Sequence, residues 1–250
     1  MAEVLETGDI HFLVRPRVDR ERPRTLDDVQ RLLVVLRPWP DGLLRLLVVG
    51  RKRLPEITGH ERFWSFVDIV GRRPEDLREA VGSRTYWTRT RGVRTQPAAR
   101  ATGDGAYVVA RHDTHTHLAY ALDAPEAENQ REDRLRRDLN IEPVASFIAT
   151  VLNPAARVPA RLARVATREP DLPPELMERF GDRRFVPLEP PELLDHAGIH
   201  LVLIGAARDV ATELDLDLNA ALERDTAALV FDDVTSLHAS PEPLFTPGDS

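Results

Sequence analysis

The chain of 250 residues contains no cysteine. This absence excludes disulfide frameworks, thiolate zinc sites, iron–sulfur clusters and cysteine nucleophiles. A chain of this length buries about 70–75% of its unfolded surface, so it can fold without a disulfide or a structural metal. The lack of cysteine is also consistent with a reducing compartment, and we expect a cytoplasmic protein.

Long apolar runs are missing as well. The longest are "LLVVL" at 32–36 and "LVLIGAA" at 201–207, and both are far shorter than the roughly 20 residues that span a bilayer. The first ten residues, "MAEVLETGDI", are acidic where a secretory signal peptide has a basic segment followed by an apolar one. We therefore expect no export and no membrane partner.

Lysine occurs only once, as Lys52, so 33 of the 34 basic residues are arginines. The charge is divided unevenly along the chain. Residues 1–125 have 21 basic and 17 acidic side chains, a net charge of +4, whereas residues 126–250 have 13 and 24, a net charge of −11. This asymmetry indicates either a basic binding face or an attraction between the two halves.

The pattern of apolar residues predicts an α+β fold, in which helices pack on an antiparallel or mixed β-sheet. Strands are predicted at residues 10–15, 29–37, 43–51, 105–112, 116–122 and 144–152, and the fourth and fifth of these should form a hairpin. Residues 200–214 indicate a buried strand that runs directly into a helix. Residues 29–51 should form a hairpin, because Asp41-Gly42 is a strong turn signal between two apolar runs. These runs are nearly continuous, so we expect both faces of the hairpin to be covered.

Helices complete the predicted fold. Thr58 and Glu61 form a capping-box pattern, and the apolar residues between positions 63 and 70 follow at helical spacing, so a helix is expected from Thr58 to Gly71. Further helices are predicted at 74–81, near 126–138, at 173–180 and at 190–196, and a final one begins at Asn219.

These elements are expected to form a single domain over residues 1–235. Two subdomains, of about 1–95 and 96–235, are the alternative. Residues 236–250 are rich in proline and polar side chains, which predicts a flexible tail.

Residues 86–96, "YWTRTRGVRTQ", combine two aromatic side chains with three arginines and no carboxylate. In an extended strand, alternate side chains of this segment share one face. An aromatic plane beside guanidinium groups can stack on a base and neutralise a phosphate. The sequence therefore predicts an anion-binding surface formed by Arg15, Arg17, Arg51, Lys52, Arg53, Trp87, Arg89 and Arg91. The alternative is a solvated strand edge, since charged edges also prevent sheets from pairing.

Residues 111–118, "RHDTHTHL", are a second candidate site. Asp113, His115 and His117 would share one face of an extended strand, and two histidines with a carboxylate can hold a divalent metal. Residues 112–114 also match the His-x-Thr element of two-histidine phosphoesterases, although those enzymes need a second copy for acid–base catalysis. The alternative is a polar face between two strands, with no cofactor.

Three segments carry a family resemblance: "ETGDIHFLVRPRV" (6–18), "RLLVVGRKRLP" (45–55) and "HTHLAYAL" (115–122). Together they resemble a family of uncharacterised bacterial proteins, and the resemblance extends over most of the chain. It implies no activity. The signature residues that it implies are Arg15, Pro16, Arg51, Lys52, His115 and His117.

Three functions are compatible with these patterns. The first is a binding protein for an anionic ligand, which would be a nucleotide or another phosphate-bearing small molecule, or single-stranded nucleic acid. The second is a metal- or phosphate-dependent hydrolase that uses residues 112–117. The third is an interaction or scaffold protein. Clustered basic residues in an otherwise acidic chain favour binding over catalysis, and the sequence does not indicate an oligomeric state.

Overall fold

The computed structural model describes residues 2–40, 42–123, 130–158 and 168–214. The strands are β1 (Glu3–Pro16), β2 (Val29–Pro38), β3 (Leu44–Val49), β4 (Arg62–Gly71), β5 (Arg84–Thr88), β6 (Gly92–Gln96), β7 (Arg100–His112), β8 (His115–Leu122), β9 (Val144–Leu152), β10 (Phe185–Pro187) and β11 (His200–Ala207). The helices are α1 (Pro74–Val81), α2 (Gln130–Asp138), α3 (Pro174–Glu178) and α4 (Val210–Leu214), with short 3-10 helices at Leu26–Asp28 and Pro191–Asp195.

Eight of these strands close an antiparallel β-barrel. Neighbouring strands pair in the order β9-β11-β4-β3-β2-β1-β7-β8, and β8 pairs with β9 to complete the ring. The short β10 pairs with the last residues of β9. Strands β5 and β6 stand apart from the barrel as a two-stranded hairpin. Closure satisfies the hydrogen bonds of both edges of each barrel strand, which an open sheet cannot do.

The predicted α+β fold is therefore wrong, because the protein is mostly β and its helices are few and short. The main error is the helix expected from Thr58 to Gly71, where β4 lies instead. The Glu61 carboxylate does not cap a helix. It accepts hydrogen bonds from the Glu56 backbone N–H and the Arg53 guanidinium. Aromatic and β-branched side chains at helical spacing also suit a strand that is covered on both faces.

Several local predictions are confirmed. The hairpin at 29–51 is β2 paired with β3, and the second predicted hairpin is β7 paired with β8. Strand β9 and helix α1 have the predicted bounds. The helix from Asn219 and the tail at 236–250 lie outside the described residues.

No helix in the described ranges is long and apolar enough to cross a membrane.

The barrel interior is a packed core. Alternate residues of β2, such as Leu32 and Val34, point inward, and apolar residues of α2 and of the 3-10 helix at Pro191–Asp195 join the same cluster. The cavity around Tyr120 and Phe147 has a volume of about 10 Å³, which holds at most about one water molecule. Eight-stranded barrels are narrow enough for side chains to fill, and this one is filled here.

A network of polar and charged side chains is centred on the buried Arg45. The Arg45 guanidinium donates to both Glu6 carboxylate oxygens at 2.6 and 2.9 Å and to Asp195 at 2.6 Å. The Tyr107 hydroxyl donates to Glu6 at 2.8 Å. Burial by itself lowers the pKa of Arg45, but hydrogen bonds and charge from Glu6, with smaller effects of Tyr107 and Asp195, raise it overall. These contacts join β1, β3 and β7 to the 3-10 helix at Pro191–Asp195.

Two parts of the outer wall are covered by short helices. Leu77 and Val81 of α1 pack on an outer cluster that includes Leu33 and Leu46. Helix α4 covers a second patch, where Val210 and Leu214 meet alanines of β7 and β8. These outer layers explain why the apolar runs of the sequence are continuous, and the first of them positions the candidate site.

Candidate anion-binding site

A cleft of about 310 Å³ lies on the outer wall of the barrel, between α1 and the β5–β6 hairpin. Its floor is formed by Leu33 of β2 and by Leu46 and Val48 of β3. Its remaining lining residues are Arg15, Gln30, Arg31, Asp68, Glu79, Ala80, Arg84, Tyr86 and Gln96. The volume lies at the small end of the range for ligand sites in proteins, which is about 300–1,000 Å³.

Arg15 fixes the shape of this cleft. Its guanidinium donates to the backbone carbonyl of Ala80 in α1, and to those of Gly82 and Pro97 at 3.3 Å. The Gln96 side chain adds a bond to the Pro16 carbonyl at 2.6 Å. Strand β1 is therefore tied to the end of α1 and to both ends of the β5–β6 hairpin, which we call the arm (residues 84–96).

Three arginines surround the cleft. Arg15 lies directly opposite Arg31 in the register of β1 and β2, and Arg84 opens β5. Burial, and then the charges of Arg31 and Arg84, lower the pKa of Arg15 to about 10. Arg84 forms an exposed pair with Glu79 at 3.1 Å. Within the described ranges, Arg15 and Arg31 have no carboxylate in ion-pair contact.

Asp68 enters the cleft through a β-bulge. Leu46 is paired with Ile69 and Leu47 with Val67, so Asp68 has no partner on β3. Ile69 packs on the outer apolar cluster and Asp68 lines the cleft on the same wall. A bulge can redirect a side chain in this way, because it places two successive residues opposite one.

The Asp68 carboxylate is half-buried beside cations that it does not touch. Burial raises its pKa, while the nearby charges of Arg31 and Arg168 act in the opposite direction. In the part of the chain that the structure describes, this carboxylate has no hydrogen bond and no ion pair. The cleft thus contains a carboxylate without a hydrogen-bond donor, and near it two arginines, Arg15 and Arg31, without an ion-paired carboxylate in the described ranges.

The arm turns tightly at its tip. Strands β5 and β6 are joined by Arg89, Thr90 and Arg91, and Gly92 closes the turn with a φ of +66°. The Thr88 hydroxyl donates to the Gly92 carbonyl and accepts from the Arg91 backbone N–H, both at 3.1 Å. Residues 84–94 are therefore not one extended strand, and Arg89 and Arg91 lie at an exposed turn.

The two faces of the arm differ. Tyr86 is on the face toward the cleft. Trp87 and Val93 oppose one another across β5 and β6, and they are 70% and 69% exposed. The arm is attached to the loop after β1 by an ion pair between Arg94 and Asp19. Trp87 therefore does not line the cleft.

The other predicted cations lie elsewhere. Arg53 forms a bidentate pair with Glu61, and the guanidinium groups of Arg51 and Arg53 lie over the Phe63 ring. Lys52 donates to the Leu26 carbonyl at 3.4 Å. The pKa of Lys52 is lowered by burial and then by the charge of Arg17, so these two cations are close to each other.

Of the eight residues predicted for the anion surface, Arg15 alone lines the cleft. The predicted set did not include the other seven polar lining residues: Gln30, Arg31, Asp68, Glu79, Arg84, Tyr86 and Gln96. Three of them, Arg84, Tyr86 and Gln96, lie in the arginine-rich segment after α1, so the sequence could have indicated them. Arg31 can be placed in the cleft only when the register of β1 with β2 is known. Asp68 can be placed there only when the bulge in β4 is known.

The histidine hairpin does not bring its predicted metal ligands together. Asp113 lies in the exposed turn with a φ of +52°, and His115 is exposed opposite His112. His117 is buried beneath α4. The described residues include no group of three or more histidines or carboxylates positioned to hold a metal ion. The metal hypothesis stays a prediction.

His117 instead belongs to a buried polar contact between the barrel and α4. Its Nδ1 lies 3.0 Å from the Ser146 hydroxyl oxygen and 3.8 Å from the Glu213 carboxylate. Both contacts involve the same ring nitrogen, whereas a catalytic triad uses the two nitrogens of the ring separately. Burial, and then the charges of His112 and His115, lower the pKa of His117 to about 4. The ring is therefore neutral at pH 7.

The chemistry that the cleft offers is recognition. Guanidinium groups donate paired hydrogen bonds to a phosphate or carboxylate, and a carboxylate accepts hydrogen bonds from a hydroxyl. The apolar floor excludes water from one side of such a ligand, which strengthens these interactions.

Comparisons of the chain with protein-family models, with curated proteins and with solved structures found no match.

Proposed function

We propose that this protein is a cytoplasmic binding protein for a small ligand that carries a phosphate or carboxylate group, held in the cleft between α1 and the arm. The observation that carries the proposal is the placement of Arg15 opposite Arg31, with no carboxylate at ion-pair distance from either in the described ranges. Both side chains are partly buried, and charges withdrawn from water in proteins are usually paired. A bound anion would supply the missing partner.

The surroundings of the two arginines support this proposal. Arg15 keeps a fixed orientation because three backbone carbonyls hold it. Arg84 adds a third positive charge, although Glu79 offsets it. A guanidinium that is already oriented loses less conformational entropy when it binds a ligand. The cleft is also too small for a folded partner, which favours a small molecule.

Replacement of Arg31 by alanine is the direct test. Pyrophosphate binding to the full chain, measured by isothermal titration calorimetry at constant ionic strength, is expected to weaken about 10- to 100-fold in Arg31→Ala. This range corresponds to the loss of one or two charged hydrogen bonds. The Arg31 side chain makes no hydrogen bond to another described residue, so the variant should unfold at nearly the wild-type temperature.

The matched control is the double variant Arg89→Ala plus Arg91→Ala. It removes two positive charges from the exposed turn of the arm and leaves the cleft intact. Pyrophosphate affinity should change less than twofold. Loss of affinity in this control, together with retained affinity in Arg31→Ala, would assign the anion to the turn and refute the cleft.

A second candidate function is stacking of single-stranded nucleic acid on the arm, which the exposure of Trp87 beside Arg89 and Arg91 favours. Stacking of one base on an aromatic ring contributes about 1–3 kcal/mol. Binding of a fluorescent oligothymidine is therefore expected to weaken by about 5- to 100-fold in Trp87→Ala. Equal affinity of the variant and the wild type for this probe would exclude the stacking surface.

A further inference from the structure

The bulge in β4 adds a carboxylate to a cleft that is otherwise suited to anions. Asp68 is half-buried, lies on the same outer wall as Arg15 and Arg31, and has no hydrogen-bond donor within the described ranges. A ligand with negative charge alone would be repelled by Asp68 and would leave its oxygens unsatisfied. A partly buried acceptor that loses its water to a ligand without gaining a donor costs free energy, so the cleft suits a ligand that also donates.

We infer that the ligand carries a hydroxyl group beside its anionic group, so that Arg15 and Arg31 bind the anion while Asp68 accepts from the hydroxyl. This inference rests on the proposed function. An ammonium group could also donate to Asp68, but the cations around the cleft would repel it. Phosphorylated sugars have this combination of groups, either free or as part of a nucleotide.

The two sources of this chemistry differ at one further contact. Tyr86 lines the cleft with a half-exposed ring, and an aromatic ring can stack on a planar base. A nucleotide would use both Asp68 and Tyr86, whereas a free sugar phosphate would use Asp68 alone.

The experiment compares methyl phosphate, ribose 5-phosphate and adenosine 5′-monophosphate by titration calorimetry on the full chain. Wild-type protein is expected to bind ribose 5-phosphate at least tenfold more tightly than methyl phosphate. In Asp68→Ala this preference should fall to less than twofold, while methyl phosphate itself binds more tightly because the repulsion is removed. The opposite signs for the two ligands separate recognition by Asp68 from a structural role.

Two variants serve as controls. Glu75→Ala removes a carboxylate from an exposed position on α1 that does not line the cleft, and it should keep the tenfold preference. Asp68→Asn keeps the shape of the side chain and one oxygen acceptor, and it should keep part of the preference even where Asp68→Ala unfolds.

The outcomes are distinct. Wild-type protein that binds methyl phosphate and ribose 5-phosphate equally, through Arg31, would refute the hydroxyl inference and retain the proposed function. Absence of binding of every phosphate would refute both. Tighter binding of the nucleotide that is lost in Tyr86→Ala would identify a nucleotide, and equal binding of nucleotide and ribose 5-phosphate would identify a sugar phosphate.

Discussion

Arg45→Ala is expected to lower the free energy of unfolding by about 3–5 kcal/mol, the range found when one partner of a buried ion pair is removed. Arg45 is 1% exposed, and its guanidinium donates hydrogen bonds to both Glu6 and Asp195. Its loss leaves the nearly buried Glu6 carboxylate and the partly exposed Asp195 carboxylate without a cation. Urea denaturation followed by circular dichroism would measure the change.

Arg53→Ala provides the comparison. Arg53 also binds a carboxylate through two nitrogens, but this pair with Glu61 is partly exposed. Exposed pairs contribute about 0–1 kcal/mol because water and ions screen them. Glu6→Gln offers a milder test of the same buried group if Arg45→Ala does not fold. Similar losses in the free energy of unfolding for Arg45→Ala and Arg53→Ala would show that burial does not increase the contribution of the Arg45 network.

The second large effect is a loss of stability in mild acid that depends on His117. Its pKa of about 4 in the folded protein lies below the ordinary value of 6.5. As the pH falls from 6.5 to 4, the unfolded chain therefore binds a proton that the folded protein does not. The free energy of unfolding should fall by up to about 3 kcal/mol over this window, and this loss is absent above pH 6.5.

His117→Asn should remove most of this pH dependence, because asparagine can bond to Ser146 but does not titrate. The charged groups near the ring are His112, His115 and Glu213. Burial raises the pKa of Glu213, so its protonation stabilises the folded state in acid and opposes the effect of His117.

His200→Asn is the comparison for this prediction, since burial also lowers the pKa of His200 and its removal should reduce the pH dependence in the same direction. Denaturation midpoints at pH 7 and pH 4.5 would be compared for the three proteins. An unchanged difference between the two pH values in His117→Asn would contradict the prediction.

Local structure was predictable from the sequence where the signal is local. The turn at Asp41-Gly42 and the Pro74 start of α1 depend on a few neighbouring residues, and both hairpins and α1 are found where the pattern places them. Residues 58–71 show the limit of this approach. Their apolar spacing fits a helix and also a strand with two covered faces, and pairing of β4 with β3 and β11 decides between them.

Closure of the barrel was not predictable for a related reason. It depends on pairing between β8 and β9 and between β4 and β11, and the second pair is separated by more than a hundred residues of sequence. Alternation within each strand carries no information about which distant strand becomes its neighbour. The sequence therefore indicates strands but not the ring that they form.

The candidate site shows the same division. The concentration of arginines near the arm was visible in the sequence. A single strand containing Trp87 and Arg91 would place both side chains on one face, but the chain turns at Arg89–Arg91 and separates them. The pairing of Arg15 with Arg31 requires the register of two strands. Asp68 reaches the cleft through a bulge, and no residue type at that position marks a bulge in advance.

The three carbonyl contacts of Arg15 make the arm and the cleft thermodynamically inseparable. An anion that accepts from the remaining N–H donors of this guanidinium binds the same side chain that attaches the arm to the wall. Ligand binding in the cleft and attachment of the arm are therefore linked by one coupling free energy. Each process changes the equilibrium constant of the other by the same factor. An effector that loosens the arm from outside would act on ligand affinity without entering the cleft.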